Sequence, residues 1–335
     1  MRSSLFPFIL AALALHVAKV NSAFTFGKHD HSHSSYGGSC GIHPTQIAST
    51  EEHFQKHKGN RLSDSHNTDY AWATIAINFH IVGSNQTVLD IIGRDERIEA
   101  QMKVLDEAYA PARIQWKLAN VTRTINETWW AKTGEGLFDE DPTRPLDANP
   151  SEREMKESLS ARDSSVLDVF VVDLVPGPSL GGYVRTLPGW YADDPKHELE
   201  RDQVDGVILN WNALPLHPQP SAAEIFTGKV LVHEVGHWMG LLHTFGHGHE
   251  APGSCEGPGD YVDDTPTQAY ATHGQLTAKT LEQCIPQDSC PDIPGLDSIN
   301  NYMDYAPEVC QHEFTPGQIW RLRALLDLYR QIPAY

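Results

Sequence analysis

Three histidines and a glycine at fixed spacing constrain this chain more than any other feature of its sequence. His233 and His237 are four residues apart, so on a helix both imidazoles lie on one face and can reach a single ion. A continued helix would carry His243 too far round to share that ion. Glycine takes positive φ at low cost, so a turn at Gly240 can bring His243 back. The pattern predicts a metal site with three imidazole ligands.

The residue between the first two ligands indicates the chemistry. A zinc ion with three protein ligands keeps its fourth position for water and lowers the pKa of that water to about 7. Glu234 follows His233 directly and points beside the ion, where it can take the proton as a general base. The alternatives are a helix with three structural histidines and a closed structural zinc site. The glycine and third histidine disfavour the first, and closed sites usually have four protein ligands, often cysteine.

A second segment, Asn301–Tyr305, follows the histidine motif with the sequence Asn-Tyr-Met-Asp-Tyr. It resembles the Met-turn of the metzincin zinc peptidases. The resemblance implies that Met303 lies under the zinc as an apolar floor. It also implies that Tyr305 lies near the metal and donates its hydroxyl to the oxyanion of the tetrahedral intermediate.

Further residues narrow this resemblance to one family. Thr244 and Phe245 follow the histidine motif, the stretch 259–266 has the sequence Gly-Asp-Tyr-Val-Asp-Asp-Thr-Pro, and four cysteines lie in the same region. Over residues 70–330 this order is similar to the pappalysin family, peptidase family M43, which includes small secreted fungal metalloproteases. The resemblance implies an α+β metzincin catalytic domain. A mixed twisted sheet and the active-site helix would lie above, and an irregular disulfide-stapled subdomain with a C-terminal helix below.

The cysteines divide into one near the N-terminus, Cys40, and four in the C-terminal region. In an oxidising compartment the four should form two disulfides, and three pairings are open. The resemblance implies the crossed pairs Cys255–Cys290 and Cys284–Cys310, which would staple the irregular lower part. Cys40 is left over. Its thiolate could take the fourth zinc position as a cysteine switch, or it is a free or intermolecular thiol in the N-terminal segment.

The resemblance has two finer implications. An acidic turn could bind structural calcium, although it could equally be a solvated turn. Its candidate residues are Asp260, Asp263, Asp264 and Thr265. Glu308 lies where family members that cut before Arg or Lys carry an acidic residue, which predicts a basic P1′ residue in the substrate. The better-known case has Asp at this position, and Pro307 precedes Glu308 here, so the loop shape differs.

The N-terminus has the layout of a secretory signal peptide. Arg2 is followed by the apolar run Leu5–Leu15 and by small residues up to Ala23. The run is too short to cross a bilayer, although an uncleaved anchor is the alternative. We expect a signal peptide over 1–22, a pro-segment or N-terminal extension over 23–69, and the catalytic domain over 70–335. Three glycosylation sequons fit a secreted, extracellular protein: Asn85, Asn120 and Asn126.

Hydrophobic periodicity predicts alternating strands and helices. Strands are expected at 71–82, 114–121, 166–175 and 206–210, and helices within 42–61, at 94–110 and 152–159, from near 223 through the histidine motif, and at 316–329. This order favours a mixed sheet packed on helices. Residues 133–150 and 176–182 are expected to be loop and turn, respectively.

The formal net charge of -19 disfavours nucleic acid and anionic membranes as partners. The expected partners are protein or peptide substrates, as a zinc peptidase requires, and we expect no membrane insertion and a monomer. Two rival functions stay open. One is a secreted zinc-binding protein without catalysis, against which Glu234 argues because a pure zinc binder has no use for that carboxylate. The other is an enzyme that cuts a non-peptide amide, which assays on casein, gelatin and small amides would separate.

Overall fold

The computed structural model of the chain describes residues 42, 44–58, 70–135, 149–174, 180–190, 192, 205–219, 225–246, 254–272 and 284–334. These residues form seven α-helices: α1 (Pro44–His57), α2 (Gln86–Ile92), α3 (Asp95–Tyr109), α4 (Glu127–Lys132), α5 (Pro150–Leu159), α6 (Lys229–Trp238) and α7 (Pro316–Arg330). They also form five strands: β1 (Ala73–Gly83), β2 (Ile114–Ile125), β3 (Val166–Val172), β4 (Gly182–Val184) and β5 (Val207–Asn210).

The strands form one sheet in the order β2-β1-β3-β5-β4. Every neighbouring pair is parallel except β4, which runs antiparallel to β5 with Tyr183 opposite Ile208. The central strands are nearly all apolar because helices cover both faces of the sheet. The predicted α+β class with a mixed sheet is confirmed.

Two apolar clusters fill the two faces of the sheet. On one face, alternate residues of β1, β3 and β5 pack on α3 and on α6. On the other face, the intervening residues pack on α4 and α5; the buried members are Val82, Trp129, Met155, Phe170, Val172, Tyr183 and Ile208. The period-2 alternation of strand side chains thus divides the molecule into layers, with α6 on the first face.

Most predicted elements are present within a few residues, and two differences matter for the site. The histidine helix was expected to begin near residue 223, but it begins at Lys229. Gly228 has φ +97°, which a right-handed helix does not allow, so the helix cannot extend through it. The prediction also missed β4, whose three residues are too few for alternation to be recognised.

The helix expected within 42–61 is confirmed as α1, which packs against α7. Phe54 is completely buried in a cluster with Ala324 and Leu325 of α7. The Glu51 carboxylate lies 2.7 Å from the Arg321 guanidinium, and both side chains are buried. At its N-terminal end, Gln46 donates to the carbonyl of Arg185, just beyond β4. The N-terminal segment therefore contacts both the C-terminal helix and the sheet edge.

The chain between α6 and α7 has little regular structure in its described part. Disulfides join Cys255 to Cys290 and Cys284 to Cys310, with Cα atoms 5.7 Å apart in each, and this is the pairing that the family resemblance implies. The Thr315 hydroxyl accepts from the Gln318 amide at the start of α7, in a capping box. Covalent staples thus hold a region that has few apolar contacts of its own.

Some predictions fall on residues outside the described ranges. The signal peptide over 1–22, Cys40 and much of the segment 23–69 belong to this group. Within the ranges that the structure covers, no helix combines the length and the apolar character needed to cross a bilayer.

Candidate active site

The three histidines of the motif converge at the C-terminal end of α6. The Nε2 atoms of His233, His237 and His243 form a nearly equilateral triangle with sides of 3.0, 3.1 and 3.2 Å. Two nitrogens bound to one tetrahedral zinc at about 2.0–2.1 Å are about 3.3 Å apart, so the triangle has the size of a zinc site. All three residues are buried, and among the described residues they are the only such group of potential metal ligands.

Hydrogen bonds at the other ring nitrogen prepare two of these imidazoles for metal binding. Nδ1 of His233 lies 2.7 Å from the carbonyl of Tyr302, and Nδ1 of His237 lies 2.8 Å from that of Leu241. A carbonyl only accepts, so Nδ1 must carry the proton, and the Nε2 lone pair faces the centre of the triangle. Burial also lowers the pKa of His233 to about 4, so this ring is neutral at pH 7, as a ligand must be.

Gly240 makes the turn that the spacing predicted. Its φ is +97°, and its amide donates to the carbonyl of His237 at 2.8 Å, which closes the helix. A Cβ at this position would lie 2.5 Å from Cδ1 of Leu325 and 3.0 Å from Cγ of Pro188. Both the backbone conformation and the packing therefore require glycine at the point where the chain turns towards His243.

The segment predicted as a Met-turn lies directly under α6. Met303 is completely buried, and a Cβ on Gly236 would overlap its sulfur, so the helix rests closely on this side chain. The Met303 amide donates to Asn301 at 2.9 Å, and its carbonyl accepts from Thr244 at 3.3 Å. A glycine inside a helix is unfavourable by about 1 kcal/mol relative to alanine. Gly236 in the predicted helix was therefore a sequence signal that another group packs too closely for a side chain at this position.

Two aromatic rings border the histidine triangle. The Tyr305 ring centroid lies 4.7 Å from that of His243 and 5.5 Å from that of His233, which places Tyr305 beside the metal position. Phe245 stacks on His243 at 4.7 Å with an interplanar angle of 6° and so fixes the plane of that imidazole. Phe245 had no predicted role at the site, although its position two residues after a predicted ligand was the available signal.

Glu234 is buried between α6 and the edge strand β4. A Cβ on Gly182 would lie 2.9 Å from Cγ of Glu234, so only glycine allows β4 to pass this close to the side chain. Gly181 is similarly close to Val230, one turn earlier on α6. The buried Glu234 side chain therefore packs directly against β4, the strand at the end of the described sheet.

The acidic turn does not gather its four predicted residues at one point. The Asp260 carboxylate accepts from the Thr265 hydroxyl at 2.5 Å and from the Val262 amide, and burial raises its pKa to about 6. The Asp264 carboxylate accepts from the Thr315 hydroxyl and the Gly317 amide, at the start of α7. Asp263 is exposed. These contacts connect the turn to α7, and calcium binding stays a prediction.

Glu308 lies at the N-terminal end of α6. Its carboxylate accepts hydrogen bonds from the amides of Thr227, Lys229 and Val230 and from the Thr227 hydroxyl, at distances of 2.6–3.3 Å. Burial raises the pKa of this carboxyl group, and the hydrogen bonds counteract that effect. The side chain thus satisfies the free amides of the first helical turn, which is a stabilising position for a negative charge.

The three sequons lie away from the histidine triangle in sequence, and their side chains are accessible to different extents. Asn85 and Asn120 are exposed and Asn126 is half-buried. Asn85 and Asn126 cap α2 and α4 through the side-chain carbonyl oxygen, which leaves the nitrogen that carries a glycan outside the cap. Asn120 lies on the edge strand β2, beside a bulge in its pairing with β1.

Comparison with known proteins gives concordant results. The pattern of the peptidase M43 family, described as pregnancy-associated plasma protein-A, matches residues 182–327. An extracellular metalloprotease of Pyricularia oryzae is 34% identical over 259 residues, which cover 77% of this chain and 76% of the relative. One of Colletotrichum graminicola is 34% identical over 265 residues, with 78% of each chain covered. The structure of mature mirolysin from Tannerella forsythia, in complex with a cleaved peptide, aligns with a TM-score of 0.56 and 25% identity over 77% of this chain and 92% of mirolysin.

Proposed function

We propose a function on the premise that this chain belongs to the peptidase M43 family of metalloendopeptidases, as its relatives show. The proposed function is that of a secreted zinc-dependent endopeptidase with Glu234 as general base. The observation that carries the proposal is the triangle of Nε2 atoms, whose size suits zinc and whose protonated Nδ1 atoms direct two lone pairs towards its centre. The names of the fungal relatives support an extracellular location.

The residues around the triangle divide the catalytic work. Zinc held by the three imidazoles would supply Lewis acidity and lower the pKa of a bound water to about 7. Glu234 would take a proton from the attacking water and later deliver it to the nitrogen of the leaving amine, so that one carboxylate acts as base and then as acid. The Tyr305 hydroxyl donates to the oxyanion, where charge develops in the transition state.

The free edge of β4 offers a binding surface for an extended substrate. In the described sheet, β4 pairs with β5 on one side only, so its outward amides and carbonyls can pair with another strand. Substrate added there would run past Gly182 and bring its scissile bond close to Glu234. Backbone pairing gives affinity without demanding particular side chains, as a general endopeptidase requires.

Removal of the metal is the direct test of this function. We expect a chelator to abolish casein cleavage and one equivalent of zinc to restore it, because three neutral imidazoles bind the ion but cannot activate water without it. Casein cleavage and bound zinc would be measured on the same samples, with gelatin and small amides as further substrates. Cleavage of small amides alone would favour the non-peptide rival. A full-length protein that binds zinc stoichiometrically and cuts none of these substrates, with or without a Cys40→Ala substitution, would favour a non-catalytic zinc binder.

The basic P1′ preference is the finer part of the proposal and rests on the family resemblance. Four hydrogen bonds at the start of α6 already engage the Glu308 carboxylate, so an incoming Arg or Lys must share it with these donors. A preference carried by Glu308 would appear as enrichment of Arg and Lys at P1′ in mapped cleavage sites, and it would disappear in Glu308→Gln. A wild-type map without that enrichment would leave Glu308 with the helix-capping role alone.

A further inference from the structure

We propose that Glu152, Tyr183 and Arg185 are positioning residues that hold β4 against the catalytic helix, so that substrate can pair with its edge. The inference rests on the proposed function in one respect only, namely that β4 is the strand to which substrate adds. It assigns a role to a buried carboxylate on α5, a helix on the opposite face of the sheet from α6.

A single carboxylate grips the strand at two consecutive same-face positions. The Tyr183 hydroxyl donates to Oε2 of Glu152 at 2.7 Å. Nη2 and Nε of Arg185 donate to the same oxygen at 2.6 and 3.0 Å. Tyr183 lies in β4 and Arg185 follows its last residue, and both side chains lie on the face of the sheet opposite to α6 because they bond the same oxygen on α5. Glu152 therefore holds β4 on the face that is turned towards α5. The opposite face of β4 packs against Glu234 on α6.

The grip on β4, that is, the hydrogen bonds of Tyr183 and Arg185 to Glu152, is made of buried charged and polar groups that are hydrogen-bonded to one another. Lys156, one turn further along α5, lies 3.0 Å from Oε1 of Glu152, and all four side chains are buried. Burial alone would raise the pKa of Glu152, but the charges of Lys156 and Arg185 and the hydrogen bonds from Arg185 and Tyr183 lower it to about 2. The carboxylate thus stays ionised, and charge-assisted hydrogen bonds in such surroundings are among the stronger ones.

The backbone pairing of β4 is not enough to fix the strand by itself. The strand has three residues and one neighbouring strand in the described sheet, and such a short pairing is weak by itself. Gly181 directly precedes β4 and Gly182 is its first residue, and neither has a side chain that could anchor the strand. Both glycines are required by the close approach to α6, so the anchor has to come from the following residues and from the other face.

The far end of the strand has a second, weaker anchor from α1. The Gln46 side chain donates to the carbonyl of Arg185 at 3.1 Å and accepts from the amide of Leu187 at 3.4 Å. These two bonds occupy the backbone just after β4 and so define where its free edge ends. The position of the edge is therefore fixed from behind by α5 and at its end by α1.

The test separates positioning from general stability by comparing two buried carboxylates. Glu152→Gln and Tyr183→Phe weaken the grip on β4. The comparison variant Asp168→Asn alters a buried carboxylate of β3 that binds Asn78 and His80 of β1 and the two residues after the C-terminal end of α5, which is the opposite end from Glu152. For each variant, kcat and KM would be measured on a long peptide that can pair with β4 and on a short one with a single residue before the scissile bond. Bound zinc and Tm would be measured in parallel.

We expect Glu152→Gln to raise KM for the long peptide about tenfold, and Tyr183→Phe to raise it by less, with KM for the short peptide and bound zinc unchanged. Asp168→Asn is expected to lower Tm without changing the ratio of the two KM values. Faster hydrogen exchange of the amides in residues 180–187 in Tyr183→Phe is the expected readout that needs no activity.

The contrary outcomes are distinct. If wild type cuts the long peptide and the two grip variants change Tm but neither the KM ratio nor exchange at 180–187, the network is only structural and the inference is overturned. If exchange at 180–187 rises while wild-type protein with zinc cuts neither peptide, the grip exists and the proposed function has failed. If Glu152→Gln does not fold, Tyr183→Phe, which removes one hydroxyl, decides by the same measurements.

Discussion

Glu234→Ala is expected to lower the rate of peptide hydrolysis by about 10²–10⁴-fold and to leave the bound zinc in place, because general-base catalysis by a positioned carboxylate contributes about that factor. The zinc would be retained because the ligand atoms are the three Nε2 nitrogens, and the Nδ1 partners of His233 and His237 are backbone carbonyls that the substitution does not touch. Casein cleavage and metal content of the purified variant are the measurements, with Glu234→Gln as an isosteric second variant.

The control for this prediction is Glu313→Ala, which removes an exposed carboxylate from the region just before α7 and should keep full activity. If Glu234→Ala binds zinc and still cuts casein at a rate within a few-fold of wild type, another group activates the water. Loss of zinc together with activity would instead show that Glu234 supports the metal site, and the isosteric variant would then distinguish the two roles.

Gly240→Ala is expected to destabilise the protein and to impair zinc binding at the same time. A left-handed backbone costs a residue with a side chain about 1–2 kcal/mol, and overpacking in a buried site costs about 1–3 kcal/mol. The new Cβ would meet Leu325 of α7, so relief of the clash must shift either α7 or the turn that leads to His243. Because displacement of a catalytic group by about 1 Å can cost about 10²-fold, activity should fall further than stability alone explains.

Gly259→Ala is the matched control for this prediction. Gly259 also has positive φ, +57°, but an added Cβ would have no atom within 4 Å. The control therefore includes the backbone effect without the clash and should reduce stability by about 1 kcal/mol with activity unchanged. Thermal unfolding, bound zinc and kcat/KM would be measured for both variants. Equal losses in the two would show that the packing of Leu325 on Gly240 has no special role.

The parts of the molecule that the sequence predicted are those set by local spacing. The spacing of His233, His237 and His243 requires a helix followed by a glycine turn, and the structure has both. The alternating apolar residues of β1 and the helical spacing in α3 depend on short-range periodicity and were equally accessible. The Met-turn resemblance pointed to a short continuous segment, and the structure places that segment under α6.

The parts that were missed depend on contacts between distant segments. The start of α6 is set by Gly228 and by Glu308, which caps the helix from about 80 positions further along the chain. Strand β4 is held by β5, its neighbour in the described sheet, and by the carboxylate of Glu152, and neither contact leaves a periodic signal in three residues. Glu308 shows why residue type alone could not assign a role. The family resemblance predicts a specificity residue, whereas its hydrogen bonds in the structure are those of a helix cap.

The turn that carries His243 depends on α7, which is synthesised after it. Nε of Arg330 donates to the carbonyl of Trp238, the last residue of α6, and its guanidinium stacks on the Trp238 ring, while Nε of Arg321 donates to the carbonyl of Gly240. These residues leave the ribosome some 80–90 positions after the carbonyls that they hold. A nascent chain that has already emerged as far as His243 therefore still lacks the partners of its ligand-bearing turn. The ligand-bearing turn can therefore reach its final packing only after α7 has been made.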